Sequence, residues 1–194
     1  MYKKISVVLA LFIVAGVLYF STQSRGPIHW DNEEIIVSFP LTERELTTWI
    51  AHTSSELGYE IKHPETLEPQ LDKIRGLEAL NHITDQSILF AVYSLAKQGG
   101  SEISGVKDFH KFVERHLKFE AAKMPLRENQ LYLLPGYVDG IDVVEVFDIP
   151  LFNQARVYLY DANKRVAWVV EGIYYGEEEK EVFRKILGTF EFIK

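Results

Sequence analysis

Ser87-Ile88-Leu89-Phe90-Ala91-Val92-Tyr93-Ser94-Leu95 decides the fold. Successive side chains of an extended chain point to opposite faces, which puts Ile88, Phe90 and Val92 on one side and Leu89, Ala91 and Leu95 on the other. Apolar residues on both sides predict a central strand covered from above and below. Gly99-Gly100 breaks it, and Ser104 is placed to N-cap an amphipathic helix running to about Lys123. Val106, Phe109, Phe112, Val113 and Leu117 make the buried stripe of that helix. Lys107, Asp108, Lys111, Glu114, Arg115 and Lys118 make its solvated face.

Beyond Pro125 the pattern returns to strands, at 131–134, 143–149, 155–160 and 165–175. Asp161-Ala162-Asn163-Lys164 joins the last two and reads as a solvent-exposed hairpin tip. A second helix follows, with Glu177, Glu178 and Glu179 at its positive end, Val182, Phe183, Ile186 and Leu187 on its apolar face, and Gly188 at C′. A short strand at 189–193 closes the chain, and Phe183, Ile186 and Phe190 are expected in the core. Upstream, 49–52 and 59–62 form a hairpin around 53–58, stopped at His63-Pro64 because proline cannot continue a central ladder. Residues 67–82 carry a poor signal, and 34–39 read as a short strand ended by Pro40.

Two of these segments carry a family resemblance. Leu57-Gly58-Tyr59-Glu60-Ile61-Lys62-His63-Pro64 resembles the GY-x-I-x-Y-P hairpin that opens many small exported bacterial PsbP-like domains. Ile186-Leu187-Gly188-Thr189-Phe190-Glu191-Phe192 resembles their closing IL-x-TF-x-F. The resemblance covers residues 47–194 and departs from the family where Glu65-Thr66-Leu67-Glu68-Pro69 follows Pro64, in place of an aromatic. It implies an α+β fold, an α/β/α sandwich around a single antiparallel sheet. It also implies a mainly non-enzymatic role, since the photosynthetic members are extrinsic subunits docking on a membrane complex and many bacterial ones have no assigned activity. The photosynthetic role itself does not carry over, because a fold does not fix a function.

The N-terminus says where the domain works. Lys3 and Lys4 precede Ile5 to Phe20, sixteen residues without a charge, and the positive-inside rule then leaves everything after Ser21 outside the cytoplasm. Sixteen residues give a helix of about 24 Å against a hydrocarbon core of ~30 Å. Extension to Tyr2 and Thr22 closes that gap, with both lysines snorkelling to the headgroups. The rival reading is a signal peptide cleaved at Thr22-Gln23-Ser24. Without an Ala-x-Ala site, and without a cysteine to take a lipid, the uncleaved single-pass transmembrane helix is the expectation. The chain divides into 1–24, anchor or uncleaved signal; 25–46, a polar tether with one short strand; and 47–194, the extracytoplasmic domain.

Past residue 24 there are 19 basic and 28 acidic residues, a net charge of −9 that repels nucleic acid and anionic headgroups. The membrane is therefore met through the N-terminal helix. The absence of cysteine excludes disulfides, thiol catalysis and cysteine-ligated zinc.

Candidate chemistry is thin. His52 and His63 are the best metal pair, because a hairpin register summing to 115 sets them directly opposite, but two such histidines are more often polar surface residues. His110 and Glu114 share a helix face without an HExxH motif, and Gly100 to Gly105 lacks the Lys-Ser/Thr of a phosphate loop. Asp139, Asp142 and Glu145 near the Asp139-Gly140 turn are too sparse for a calcium loop. Among the aromatics of the C-terminal strands, Tyr132, Tyr137, Trp168, Tyr174 and Tyr175, most belong in a core. Tyr137, Trp168, Tyr174 and Tyr175 are the candidates for a binding groove. No catalytic residue and no cofactor is assigned. The expected function is a membrane-anchored binding or assembly module serving a protein or membrane complex; the alternative is an exported hydrolase or small-ligand-binding protein with a non-local site.

Overall fold

The computed structural model describes residues 29–30, 35–36, 40–95, 103–123, 132–138, 141–147 and 154–193. Lys3, Lys4 and the apolar run 5–20 lie outside the described residues, as do Gly99-Gly100 and Asp139-Gly140. No helix among those described is long and apolar enough to cross a membrane.

The two-sided apolar stretch forms β7 (Ile88–Ser94), bonded antiparallel to β6 (Leu77–His82) on one side and to β11 (Val166–Ile173) on the other. β5 (Leu67–Asp72) lies beyond β6; β10 (Gln154–Asp161), β9 (Ile141–Phe147) and β8 (Tyr132–Val138) continue beyond β11. β1 (His29–Trp30) and β2 (Ile35–Ile36) both run parallel to β8 and complete a nine-stranded sheet among the described residues. Leu89 departs from strict alternation. The ladder pairs Leu80 with Phe90 and Asn81 with Ile88, so Leu89 is the extra residue of a bulge, and it joins the core on the Phe90 and Val92 side.

The expectation of a single antiparallel sheet is corrected. β3 (Ile50–Ser54), β4 (Tyr59–His63) and β12 (Glu191–Phe192) form a separate three-stranded sheet in the order β12–β4–β3. The physical reason lies in β4, where Tyr59, Ile61 and His63 are buried while Glu60 is exposed and Lys62 half-buried. One-sided alternation suits an outer layer, whereas β7 and β10 are buried on both sides.

Each face of the large sheet has its own cover. α2 (Val106–Lys123) lays Phe109, Val113 and Leu117 over Val144, Tyr158, Tyr160 and Val169. α3 (Glu177–Leu187) and the small sheet cover the other face, where Phe183, Ile186, Leu187 and Phe190 pack with Val157, Leu159, Trp168 and Val170. Phe183, Ile186 and Phe190 are all fully buried, as expected. Helix ends differ in detail. Gly105, not Ser104, stands at the start of α2, since its carbonyl accepts the first helical bond from Phe109, and Val106 is exposed. Gly188 caps α3 in a right-handed conformation rather than the left-handed one.

Asp161 is another correction. It is 1% exposed, because its Oδ1 accepts from the backbone N–H groups of Asn163 and Lys164 and folds the side chain under the turn; Ala162, Asn163 and Lys164 do lie in water. Residues 67–82, poor in signal, are the β5–β6 hairpin. Pro69 falls on the edge strand, where a missing N–H breaks no ladder.

The end of the tether is folded as well. Thr42 and Glu45 make a reciprocal capping box at the start of α1 (Glu43–Thr48), and Glu45 reaches Lys185 of α3 at 2.8 Å. The bonds from Lys185 and Thr42 hold the Glu45 carboxyl down at about 2. The contribution is thus complete above the ordinary carboxyl value and is lost as pH falls toward 2. Glu45→Gln should free α1 from α3 at a cost of no more than about 1 kcal/mol, seen as faster amide exchange confined to residues 43–49. Unchanged exchange there would show that α1 is held by other contacts.

Candidate functional site

A buried polar side chain is unfavourable unless a partner is supplied, so clusters of them are the first places to look for chemistry. Among the described residues two such clusters stand out, one on each face of the large sheet. Between the sheets stands Glu78 of β6, 5% exposed. Its Oε2 accepts from the Tyr59 hydroxyl at 2.8 Å, and its Oε1 lies 2.9 Å from His52 Nε2. His63 is 3% exposed and donates Nδ1–H to the Pro64 carbonyl at 3.0 Å, which fixes its tautomer when neutral. Burial, with repulsion from His52, lowers the His63 pKa below its ordinary value despite the bond to Pro64. Burial beside Glu78 likewise pushes the Tyr59 hydroxyl far above the ordinary tyrosine value.

Under α2 lies the second cluster. Arg156 and Glu171 are direct cross-strand partners on β10 and β11, with Arg156 Nη2 2.5 Å from Glu171 Oε1. The Tyr93 hydroxyl donates to the same carboxyl oxygen at 3.1 Å, and the Tyr158 hydroxyl is 3.0 Å from His116 Nδ1. Burial works against the Arg156 charge, but Tyr158, Glu171 and Tyr93 outweigh it and raise its pKa. Among the described residues no hydrogen-bond partner meets the buried Arg156 Nε. Both clusters consist mainly of side chains turned on one another, and chemically they act as ties between layers.

The sequence candidates distribute unevenly over these places. His52 and His63 do share one face of the small sheet, with ring centroids 6.2 Å apart, but they are not directly opposite. The hairpin pairs His52 with Ile61 and Ile50 with His63, a two-residue offset that keeps the face and shifts the pair to a diagonal. Among the described residues no group of three His, Asp or Glu side chains is placed to hold a metal ion. Trp168 is 4% exposed and packs on Phe192 at 5.8 Å, a core position that follows from β11 being covered on both faces. Tyr174 is half-buried against Phe183, while Tyr175 is 78% exposed. Tyr137 lies in β8 opposite Asp142 of β9. The candidate groove therefore loses Trp168, and Tyr174 belongs largely to the core edge. Sequence reading missed Glu78, Tyr59, Arg156 and Glu171 as members of clusters. A charged residue at each of two otherwise apolar strand positions, Glu78 and Glu171, was the available signal.

A cleft of about 510 Å³ opens at the surface between Pro40, Thr42 and α3, lined by Glu177, Lys180, Glu181, Arg184 and Lys185. Its charges are largely paired within it: Lys185 bridges Glu45 and Glu181, and Lys180 meets Glu177.

Comparison with known proteins bears on the fold. No protein-family model and no curated protein matches the sequence. The solution structure of cyanobacterial PsbP (CyanoP) from Synechocystis matches with a TM-score of 0.51 and 12% identity, covering 79% of this chain and 98% of that one. A crystal structure from Bacteroides thetaiotaomicron matches at a TM-score of 0.41 and 12% identity, over 74% of this chain and 48% of that one, too distant to carry an argument. The described domain has a PsbP-like fold.

Proposed function

We propose that this chain, a PsbP-like fold, is a membrane-anchored extracytoplasmic module that binds or assembles with a protein or membrane complex and has no catalytic activity of its own. The observation that carries the reading is the combination of that fold with Lys3-Lys4 and the uncharged run 5–20 ahead of it. The two buried clusters support it, since their polar groups chiefly serve one another and join layers of the domain. The exported hydrolase or ligand-binding alternative draws on Arg156, whose buried Nε faces no protein acceptor among the described residues.

Fractionation of membranes from cells expressing the full chain, with the intact mass of the product, is the test. The expected result is an uncleaved chain in the membrane fraction whose domain is cut by protease added from outside. A soluble product starting near Arg25 would remove the anchor. Cross-linking in the same membranes should join the domain to one reproducible complex; catalytic turnover that disappears in Arg156→Lys would favour the alternative.

A further inference from the structure

The small sheet is joined to the large one through a core and a buried polar cluster, and two histidines stand at that cluster. We propose that the β12–β4–β3 sheet is an acid-loosened flap, with His63 as the group that converts a falling pH into a higher frequency of opening. This goes beyond the docking reading. Using the flap to sense external pH rests on export, while the device itself does not.

Among the described residues no counter-charge is in contact with His63. The ring beside it is His52 of β3, and Glu78 of β6, which reaches His52, is already bonded to both Tyr59 and His52. From the loop after β4, the Pro64 carbonyl already accepts the Nδ1 proton. A second proton on His63 would sit at Nε2, in a site 3% exposed and 6.2 Å from the His52 ring. His52, held at 2.9 Å from Glu78, adds repulsion to any charge placed on His63. Opening moves His63 into water, where it accepts the proton freely. The sign follows from linkage. With the closed-state pKa lowered, the open form binds more protons below about pH 6.5, so the closed form is fully favoured above that value and loses ground as pH falls. The carboxyls that are themselves held low, Glu45 and Asp85, lose their contributions only at more acid pH, below the histidine window.

Hydrogen exchange of the full chain in detergent, compared at about pH 7.5 and about pH 5 after correction for the chemical exchange rate, tests the flap. Amides of 50–63 and 191–193 should lose protection by about tenfold for each unit by which the His63 pKa is lowered, while those of β9 to β11 hold. His63→Gln and His63→Leu should both abolish the pH effect, the first keeping a polar group for Pro64 and the second filling the space. His52→Gln should reduce the effect without removing it. No acid-dependent change, an equal change in both sheets, or a change that survives in either His63 variant would overturn the proposal. If His63→Leu does not fold, His63→Gln alone decides.

Discussion

Phe183→Ala is expected to lower the stability of the domain by about 3–5 kcal/mol, measured as a fall in the urea midpoint followed by circular dichroism. The ring is fully buried and packs against Phe90 at 5.6 Å and Tyr174 at 6.3 Å, so its loss opens a cavity at the seat of α3 on the large sheet. That seat depends on a glycine. A Cβ on Gly172 of β11 would meet the Phe183 ring at 2.7–2.9 Å, closer than carbon atoms tolerate. Gly172→Ala alone should therefore cost about 1–3 kcal/mol by overpacking. In the Phe183→Ala background the same methyl enters the space left by the ring and should cost little. The expected coupling is about 1–3 kcal/mol between the two sites. Strictly additive losses would mean that the ring does not rest on Gly172, and the account of how α3 is seated would fall.

Such contacts explain why some of the fold was legible and some was not. The 88–94 strand and α3 were readable because each pattern answers to one force: apolar residues on both faces, or at helical spacing, have no stable place except the core. The β5–β6 hairpin was hidden because Glu68, Pro69, Gln70 and Asp72 belong to an edge strand, whose tolerance for polar residues and proline comes from its position and not from its pattern. α1 left a signal in Thr42-x-x-Glu45, but six residues with none buried give no periodicity to support it. The second sheet was invisible for a different reason. Tyr59-Glu60-Ile61-Lys62-His63 specifies one buried face, and that pattern is the same whether the strand extends a sheet or lies across one. Clusters are harder still, since Tyr59, Glu78 and His52 come from three strands and meet only when two sheets close.

Glu78→Leu should be the most damaging change among the polar residues, at about 3 kcal/mol. It removes the acceptor of the Tyr59 hydroxyl, 1% exposed, and the partner of His52 Nε2 at once, and a buried group left without a partner loses its hydration for nothing in return. Tyr59→Phe in the native background should cost about 1 kcal/mol, because His52 still engages Glu78 and the ring keeps its stacking on Phe190 at 5.1 Å. In the Glu78→Leu background the order reverses. There the hydroxyl is the unsatisfied group, so Tyr59→Phe should recover about 1–2 kcal/mol of the loss. Urea unfolding of the four proteins at neutral pH measures the cycle. Loss of less than about 0.5 kcal/mol in Glu78→Leu, or a Tyr59→Phe effect of the same sign in both backgrounds, would show that the two sheets are held by apolar packing alone and that the polar cluster is incidental to their union.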